Sequence, residues 1–473
     1  MCGDYCNKND LVPLLEAMKK KDIDMLNGPI VPSMIFFAIP MLISGLLQIC
    51  FNAADTIVVG RFAGHTSMAA IGSTASITNL MVNLFIGISM GVNVVVARAI
   101  GRGDRDGIEK AVHTALTVAF ISGVILSVMG FFLSPILLAL MDTPPDVIDK
   151  SILYMRIIFL GQVFNLVYNF GSAILRSDGD TQRPLYYLTF AGVLNVLLNL
   201  FFVIVVKLDV AGVALATIIS QALSAILVVR ALIGGSSNVK FYFSKLGIDH
   251  KSLKEILYMG VPAGLQSVVF SVSNVLIQSS VNSFGSLAVA GNTAANSVDG
   301  FMYTVNNCLA QTNLSFLSQN FGAGKKERMA PIMKSSFLIT VTSSLILGIL
   351  CLSFGDRILS LYSKESEVIS FGMIRVRYVL TIYFLFAFEE MMVSCLRSLG
   401  FSLTPMATSI FCICGIRILW VFTVFSHFRT PEALYIVYPV SWIVAAIAHT
   451  LFFTYIWRHK NPLGKREIMI DGD

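Results

Sequence analysis

Read from the amino end, the chain alternates long, almost uninterrupted apolar stretches with short polar connections. Twelve apolar runs reach membrane-spanning length, at about 33–59, 70–97, 113–133, 152–175, 185–206, 211–232, 256–282, 289–318, 335–354, 370–395, 405–425 and 433–457. An apolar run of about eighteen or more residues is a transmembrane helix candidate. Strands of a membrane barrel are shorter and alternate in polarity. These runs do neither, so each is expected to satisfy its backbone as a helix. The first run follows some thirty polar residues that include acids, and no small-residue cleavage site closes it. A signal peptide is therefore not expected there.

A second pattern is written over the first. Leu175-Arg176-Ser177-Asp178-Gly179 ends run 4 before Pro184, and Leu396-Arg397-Ser398-Leu399-Gly400 ends run 10 before Pro405. The offset is 221 residues, and it also carries Gly101 and Gly103 onto Gly322 and Gly324. Pro40 maps onto Pro262 at an offset of 222. The chain is thus expected to be an all-α membrane protein of twelve transmembrane helices in two six-helix repeats. Six is even, so both repeats share one orientation and should be related by a pseudo-two-fold along the membrane normal, as in parallel transporter repeats. The expected divisions are an N-terminal segment 1–29, an N-lobe 30–232, a linker 233–254, a C-lobe 255–457 and a tail 458–473.

Composition agrees with this reading: 55% of residues are hydrophobic and 13% charged, against about a quarter charged in soluble domains. The net charge of +6 does not point to nucleic acid, because it is distributed by topology. With both termini inside, 24 Lys and Arg fall in the tails and inward loops and about 6 in outward loops. The inward set includes Lys19, Lys20, Lys21, Arg98, Arg102, Arg105, Lys251, Lys254, Lys325, Lys326, Arg328, Lys465 and Arg466. Positive residues stay on the cytoplasmic side, so a multi-pass protein of the cell membrane with cytoplasmic termini is expected. Six of the eight cysteines (Cys50, Cys308, Cys351, Cys395, Cys412 and Cys414) lie in apolar runs, where they act as small apolar residues. Cys2 and Cys6 lack the further ligands that a metal site needs.

Duplication alone leaves a channel or a receptor open. A channel needs a filter loop or rings of charge, and none is evident; a receptor would want a ligand domain outside the membrane. No G-x-x-x-x-G-K-[ST] loop is present and no segment could hold a nucleotide domain, so no nucleotide and no cofactor is expected.

The N-terminal part reads Leu26-Asn27-Gly28-Pro29-Ile30, then Ala38-Ile39-Pro40-Met41, then Asn52-Ala53-Ala54-Asp55-Thr56-Ile57-Val58-Val59-Gly60-Arg61. Gln319-Asn320-Phe321-Gly322-Ala323-Gly324-Lys325 follows run 8. With the two Leu-Arg-Ser-x-Gly corners, these segments resemble the multidrug and toxic compound extrusion (MATE) family from about residue 26 to 457. The resemblance implies a secondary antiporter, not an enzyme. It would export organic, often cationic and amphipathic, compounds in exchange for protons or sodium ions by alternating access, and is expected to act as a monomer.

An acid inside the bilayer is costly and marks function; the clear ones are Asp55, Asp299, Glu389 and Glu390. The resemblance implies an amino-half cation site made by Asp55, by Asn195 and Asn199 at i and i+4 on run 5, and by Thr217 on run 6. A carboxylate with amide and hydroxyl oxygens can hold a sodium ion, and a desolvated carboxylate can take a proton. The alternative is that the two Asn only bridge helices. Some relatives carry a second acid where Asn199 stands, and some an acid eight residues past the proline of run 7, where this chain has Phe270.

Glu389 or Glu390 could pair with Arg417 at similar depth, or face cationic substrate. Asp299 could line the cleft or cap a helix break near Gly300. Met302, Tyr303 and Phe388, like Phe85, Met90 and Phe384, are of the adaptable apolar kind that lines promiscuous pockets, although such residues are mostly core or lipid-facing. A flippase for a lipid-linked precursor is the alternative function. Polyanionic headgroups would call for Arg or Lys in the cavity, whereas the mid-membrane basic residues are few: Arg156, Arg375, Arg377 and Arg417.

Overall fold

The computed structural model describes residues 23–141, 143–234 and 238–459. Lys19, Lys20, Lys21, Lys465, Arg466 and the Cys2–Cys6 pair lie outside the described residues. Among those described, every regular element is helical, and the chain divides into two compact units with the boundary between Leu257 and Tyr258.

The first unit carries α1 (Ile30–Phe62), α2 (His65–Arg102), α3 (Arg105–Leu140), α4 (Ile148–Leu160), α5 (Gln162–Ser177), α6 (Gln182–Leu200) and α7 (Asp209–Gly234). The boundary falls inside α8 (His250–Asn282), which leads into the second unit. There follow α9 (Ser286–Ala323), α10 (Lys326–Ser360), α11 (Ser366–Arg375), α12 (Phe384–Ser398), α13 (Leu403–Ser409), α14 (Ile416–Phe422), α15 (Val424–His427), α16 (Pro431–Tyr435) and α17 (Val437–His459).

Nine described helical spans are long and apolar enough to cross a bilayer, and eleven are if each of two bent pairs counts as one. The twelfth run is α9. It spans 38 residues but buries Asn292, Asn306, Thr312, Asn313, Gln319 and Asn320 along its length, so its polarity hides its span. The helices also run well beyond the apolar stretches; run 2, expected at 70–97, is continuous over His65–Arg102. Helix persists past the hydrocarbon because nothing in the polar flanks breaks it.

Runs 4 and 10, expected as continuous helices, are bent by 44° and 43°. In run 4 the bend lies at Gly161, where a Cβ would come 2.6 Å from Ile218, so a close approach of α4 to α7 occupies the side-chain space. In run 10, Val376–Leu380 winds as a π-helix: both the amide and the hydroxyl of Thr381 donate to the Val376 carbonyl at 2.9 Å. Runs 5 and 11 carry π stretches too, at Phe201–Val205 and Ile410–Gly415. Such widened turns are frequent at functional sites.

Both units repeat the same backbone devices. The six described glycines with positive φ form three pairs at an offset of 221: Gly64 and Gly285 (86° and 91°), Gly103 and Gly324 (67° and 70°), and Gly179 and Gly400 (98° and 99°). Only a residue without Cβ adopts these angles cheaply. A small-residue stripe repeats as well. Gly123, Ser127, Gly130 and Ser134 are buried along α3; Ser344, Gly348, Cys351 and Gly355 stand 221 residues later, buried along α10. The stripe lets backbones meet without a hydrophobic drive. The Ser127 hydroxyl donates to the Phe159 carbonyl at 2.8 Å, and a Cβ on Gly348 would lie 2.9 Å from the carbonyls of Leu380 and Thr381.

The opposite faces stay apolar and uncovered: Phe120, Val128, Phe132 and Ile136 on α3 are all exposed. Apolar surface on this scale belongs against lipid. The described polar linker is packed onto α3. Asn238 bonds Asp178, Tyr242 donates its amide to His113, and Lys245 pairs with Glu109 at 2.6 Å, which raises the ammonium pKa above its ordinary value. Asp249 caps α8 through the Ser252 amide and hydroxyl, both at 2.8 Å, and these bonds hold its carboxyl below the usual range.

Candidate functional site

In the first unit the four residues expected to form an ion site come together. α1 packs on α6, and α6 on α7. Asn195 and Asn199 lie one turn apart on α6, so they share a face. The Asn199 amide nitrogen donates to Asp55 Oδ1 from α1. It also reaches the Asn195 Oδ1 at 3.3 Å. Asn195 Nδ2 contacts the Thr217 hydroxyl of α7 at 3.4 Å, and that hydroxyl donates to the Val213 carbonyl at 3.0 Å. The chain of bonds thus runs carboxylate, amide, amide, hydroxyl across three helices.

Asn195 and Asn199 are buried, whereas Asp55 and Thr217 are only partly so. Asn199 Oδ1 is buried and accepts no hydrogen bond among the described residues. Amide, carboxylate and hydroxyl oxygens are the kind of donor a hard cation prefers, and the acid could equally take a proton. The floor of the site is apolar: Val58, Val59, Val203 and Val213, with Tyr154 and Leu200 against them. Tyr154, on α4, brings a phenol to this apolar floor. Sequence reading passed it over, since one tyrosine in an apolar run has no spacing to single it out. The π stretch Phe201–Val205 begins two residues after Asn199.

The second unit distributes its charges differently from expectation. Asp299 pairs with Arg375 at 2.7 Å, and α9 runs unbroken through Gly300, so Asp299 caps no helix break. Arg375 is also held by Asn292 Oδ1 at 2.9 Å, which accepts from the Tyr435 hydroxyl at 2.9 Å as well. Arg417 pairs with neither glutamate. Its guanidinium stacks 4.3 Å over the Tyr438 ring and donates to Asn274 Oδ1 at 3.1 Å. Depth along a helix says nothing about azimuth, and Arg417 points to the side of α14 where an aromatic face takes its charge.

Glu389 is fully buried and contacts Ser409 and His449 instead; Glu390, next along α12, is partly exposed. Met302 is buried in the core of the second unit, its sulfur 4.0 Å from Cys351. Tyr303 is half-exposed and its ring lies 6.2 Å from that of Phe386. Phe388 packs its ring 5.0 Å from Phe337. Phe270, in place of an acid, packs on the same core. The six described cysteines are free.

Comparison with known proteins agrees with the repeat. The MatE family model matches residues 40–201 and again 262–423. A protein named as a multidrug resistance protein, YoeA of Bacillus subtilis, is 29% identical over 437 residues, covering 90% of this chain and 94% of its own. YpnP of the same organism, named likewise, is 25% identical over 440 residues, covering 92% and 97%. Among solved structures, a crystal structure of MATE in the bent conformation superposes with a TM-score of 0.87 at 22% identity, over 94% of this chain and 100% of that one.

Proposed function

This chain belongs to the MatE family, a family of membrane transporters and not of enzymes, and we propose that it is a cation-coupled antiporter. In this reading it exports organic, cationic and amphipathic compounds from the cytoplasm across the cell membrane, in exchange for protons or sodium ions, by alternating access. Both termini face the cytoplasm. The names of its relatives favour drug-like cargo.

One observation carries the coupling reading: the Asp55–Asn199–Asn195–Thr217 relay within the first unit. Loading Asp55 with a proton or sodium ion neutralises its charge and weakens its hold on the Asn199 amide. That changes how α1 is tied to α6. A ligand shifts a conformational equilibrium only by its differential affinity for the two states, and this relay supplies such a difference.

The arginines favour a cationic cargo over a polyanionic headgroup. Arg156 stacks on Phe131 at 4.9 Å and donates to its carbonyl, while Arg375 and Arg417 are held as described. Three of the four mid-membrane guanidinium groups are therefore already engaged by protein.

The test is Asp55→Asn in everted vesicles, with ethidium as cargo and sodium and pH gradients imposed separately. Expression should be normal and gradient-driven exchange should fall to background. Undiminished exchange would reject Asp55 as the coupling group.

A further inference from the structure

Glu389 and His449 take no part in the relay at Asp55, yet both side chains are 0% exposed. They come from α12 and α17, which pack along each other in the second unit. Glu389 Oε1 lies 3.4 Å from His449 Nδ1 and accepts the Ser409 hydroxyl of α13 at 3.1 Å. Glu389 Oε2 is buried without a partner among the described residues.

The imidazole is surrounded by acceptors. Nε2 faces the Pro405 carbonyl at 3.3 Å, the Ala445 carbonyl lies beside the ring, and Nδ1 faces the carboxyl. A carbonyl never donates, so Nε2 carries its hydrogen toward Pro405. A neutral imidazole has only one N–H. Nδ1 and Oε1 would then oppose lone pair to lone pair unless a further proton sits between them. With that proton the net charge is zero, and surroundings closed to water favour carboxylic acid beside neutral imidazole over carboxylate and imidazolium. Without it, a buried carboxylate remains, and an unpaired charge at membrane depth costs several kcal/mol.

The charged and titratable neighbours do not remove that need. On α12 itself stand Glu390 and Arg397; Cys412 and Arg417 act on Glu389 from the helix that follows Ser409. Arg397 gives its Nη2 to Gln266 at 2.6 Å and Arg417 is held by Asn274 and Tyr438, so neither makes an ion pair with Glu389 in the structure.

We propose that Glu389 and His449 form a second proton-binding site, confined to the second unit, in which one proton is shared between Oε1 and Nδ1 with Ser409 as a positioning residue. The proton is taken from water and returned to it; no other bond forms or breaks. Because the deprotonated pair is intolerable while buried, release requires that water reach it. The π stretches at Val376–Leu380 and Ile410–Gly415 lie in the two helical spans that carry Glu389 and Ser409, where a widened turn eases such a rearrangement. Proton occupancy and conformation are thereby linked. The part this plays in transport rests on the antiporter reading, but the proton itself does not.

Infrared difference spectra of the purified full chain, between mildly acidic and mildly alkaline buffer, test it without any cargo. Wild type should show a deuterium-sensitive carboxylic C=O band that disappears in Glu389→Gln and moves in His449→Gln. Asp55→Asn should leave that band in place, so failure here and failure at Asp55 are told apart. Should Glu389→Gln not give monodisperse protein, Ser409→Ala decides: losing a hydrogen bond to the same oxygen must move the band. Superimposable spectra for wild type and Glu389→Gln, or an unmoved band in Ser409→Ala, would overturn the site.

Discussion

Neutralising Asp299 tests how the second unit is held together. Asp299 and Arg375 pair at 2.7 Å with side chains 19% and 5% exposed, so the pair is largely withdrawn from solvent. Breaking a buried pair by removing one partner costs roughly 3–5 kcal/mol. Asp299→Asn keeps the volume, and Arg375 retains Asn292 Oδ1 and the faces of Tyr435 and Tyr438 at 5.8 and 5.4 Å. Those contacts, and the partial exposure of the carboxylate, bring the expected loss down to about 2–3 kcal/mol, or roughly 30- to 150-fold in the folded-to-unfolded ratio. Arg375→Met should cost more, because it leaves Asp299 unpaired. The double variant should cost clearly less than the sum, since replacing both charges removes the desolvation burden together with the attraction. Equilibrium unfolding in mixed detergent micelles, followed by tryptophan fluorescence, gives these values. Trp442 reports locally, with its ring 5.7 Å from that of Tyr438. An Asp299→Asn variant within about 0.5 kcal/mol of wild type, with additive singles, would refute the claim that this pair ties α9 to α11.

Two further outcomes follow from the packing. Gly192 of α6 faces Phe51 of α1 so closely that a Cβ would lie 1.9 Å from the ring; Gly192→Ala should destabilise by about 1–3 kcal/mol and lower ethidium exchange, and Phe51→Ala added to it should restore part of both, whereas no restoration would place the conflict elsewhere. Topology is best read at exposed positions, because Ser177 and Ser398 of the two corners are fully buried and would resist labelling from either side; in a cysteine-free background an impermeant thiol reagent outside whole cells should label Ser366→Cys and miss Asp106→Cys and Lys326→Cys, and the reverse pattern would invert the orientation.

Much of this protein was legible in one dimension. Apolar runs mark spans because a bilayer forces every backbone polar group to be satisfied within the helix. The duplication was legible because glycines that must hold positive φ recur at one offset, as Gly179 and Gly400 do. An acid in an apolar run is conspicuous, and i and i+4 spacing already puts Asn195 and Asn199 on one face, but that these residues belong together with Thr217 was implied only by the family resemblance. What stayed hidden depends on azimuth and on partners far along the chain. Nothing in linear order says that Arg375 rather than Arg417 answers an acid, or that Asp299 is the acid it answers. Glu389 is conspicuous alone, but its partner His449 lies sixty residues on, in a run that reads as plain apolar helix. The bends at Gly161 and Thr381 likewise arise from a neighbouring helix and from a hydroxyl turned back on its own backbone. Sequence by itself determined which segments cross the membrane and how often the pattern repeats, since both follow from local transfer and backbone conformation. Only tertiary structure decided which buried charges meet, because that is set by the rotation of each helix about its axis, and packing against neighbours fixes that rotation.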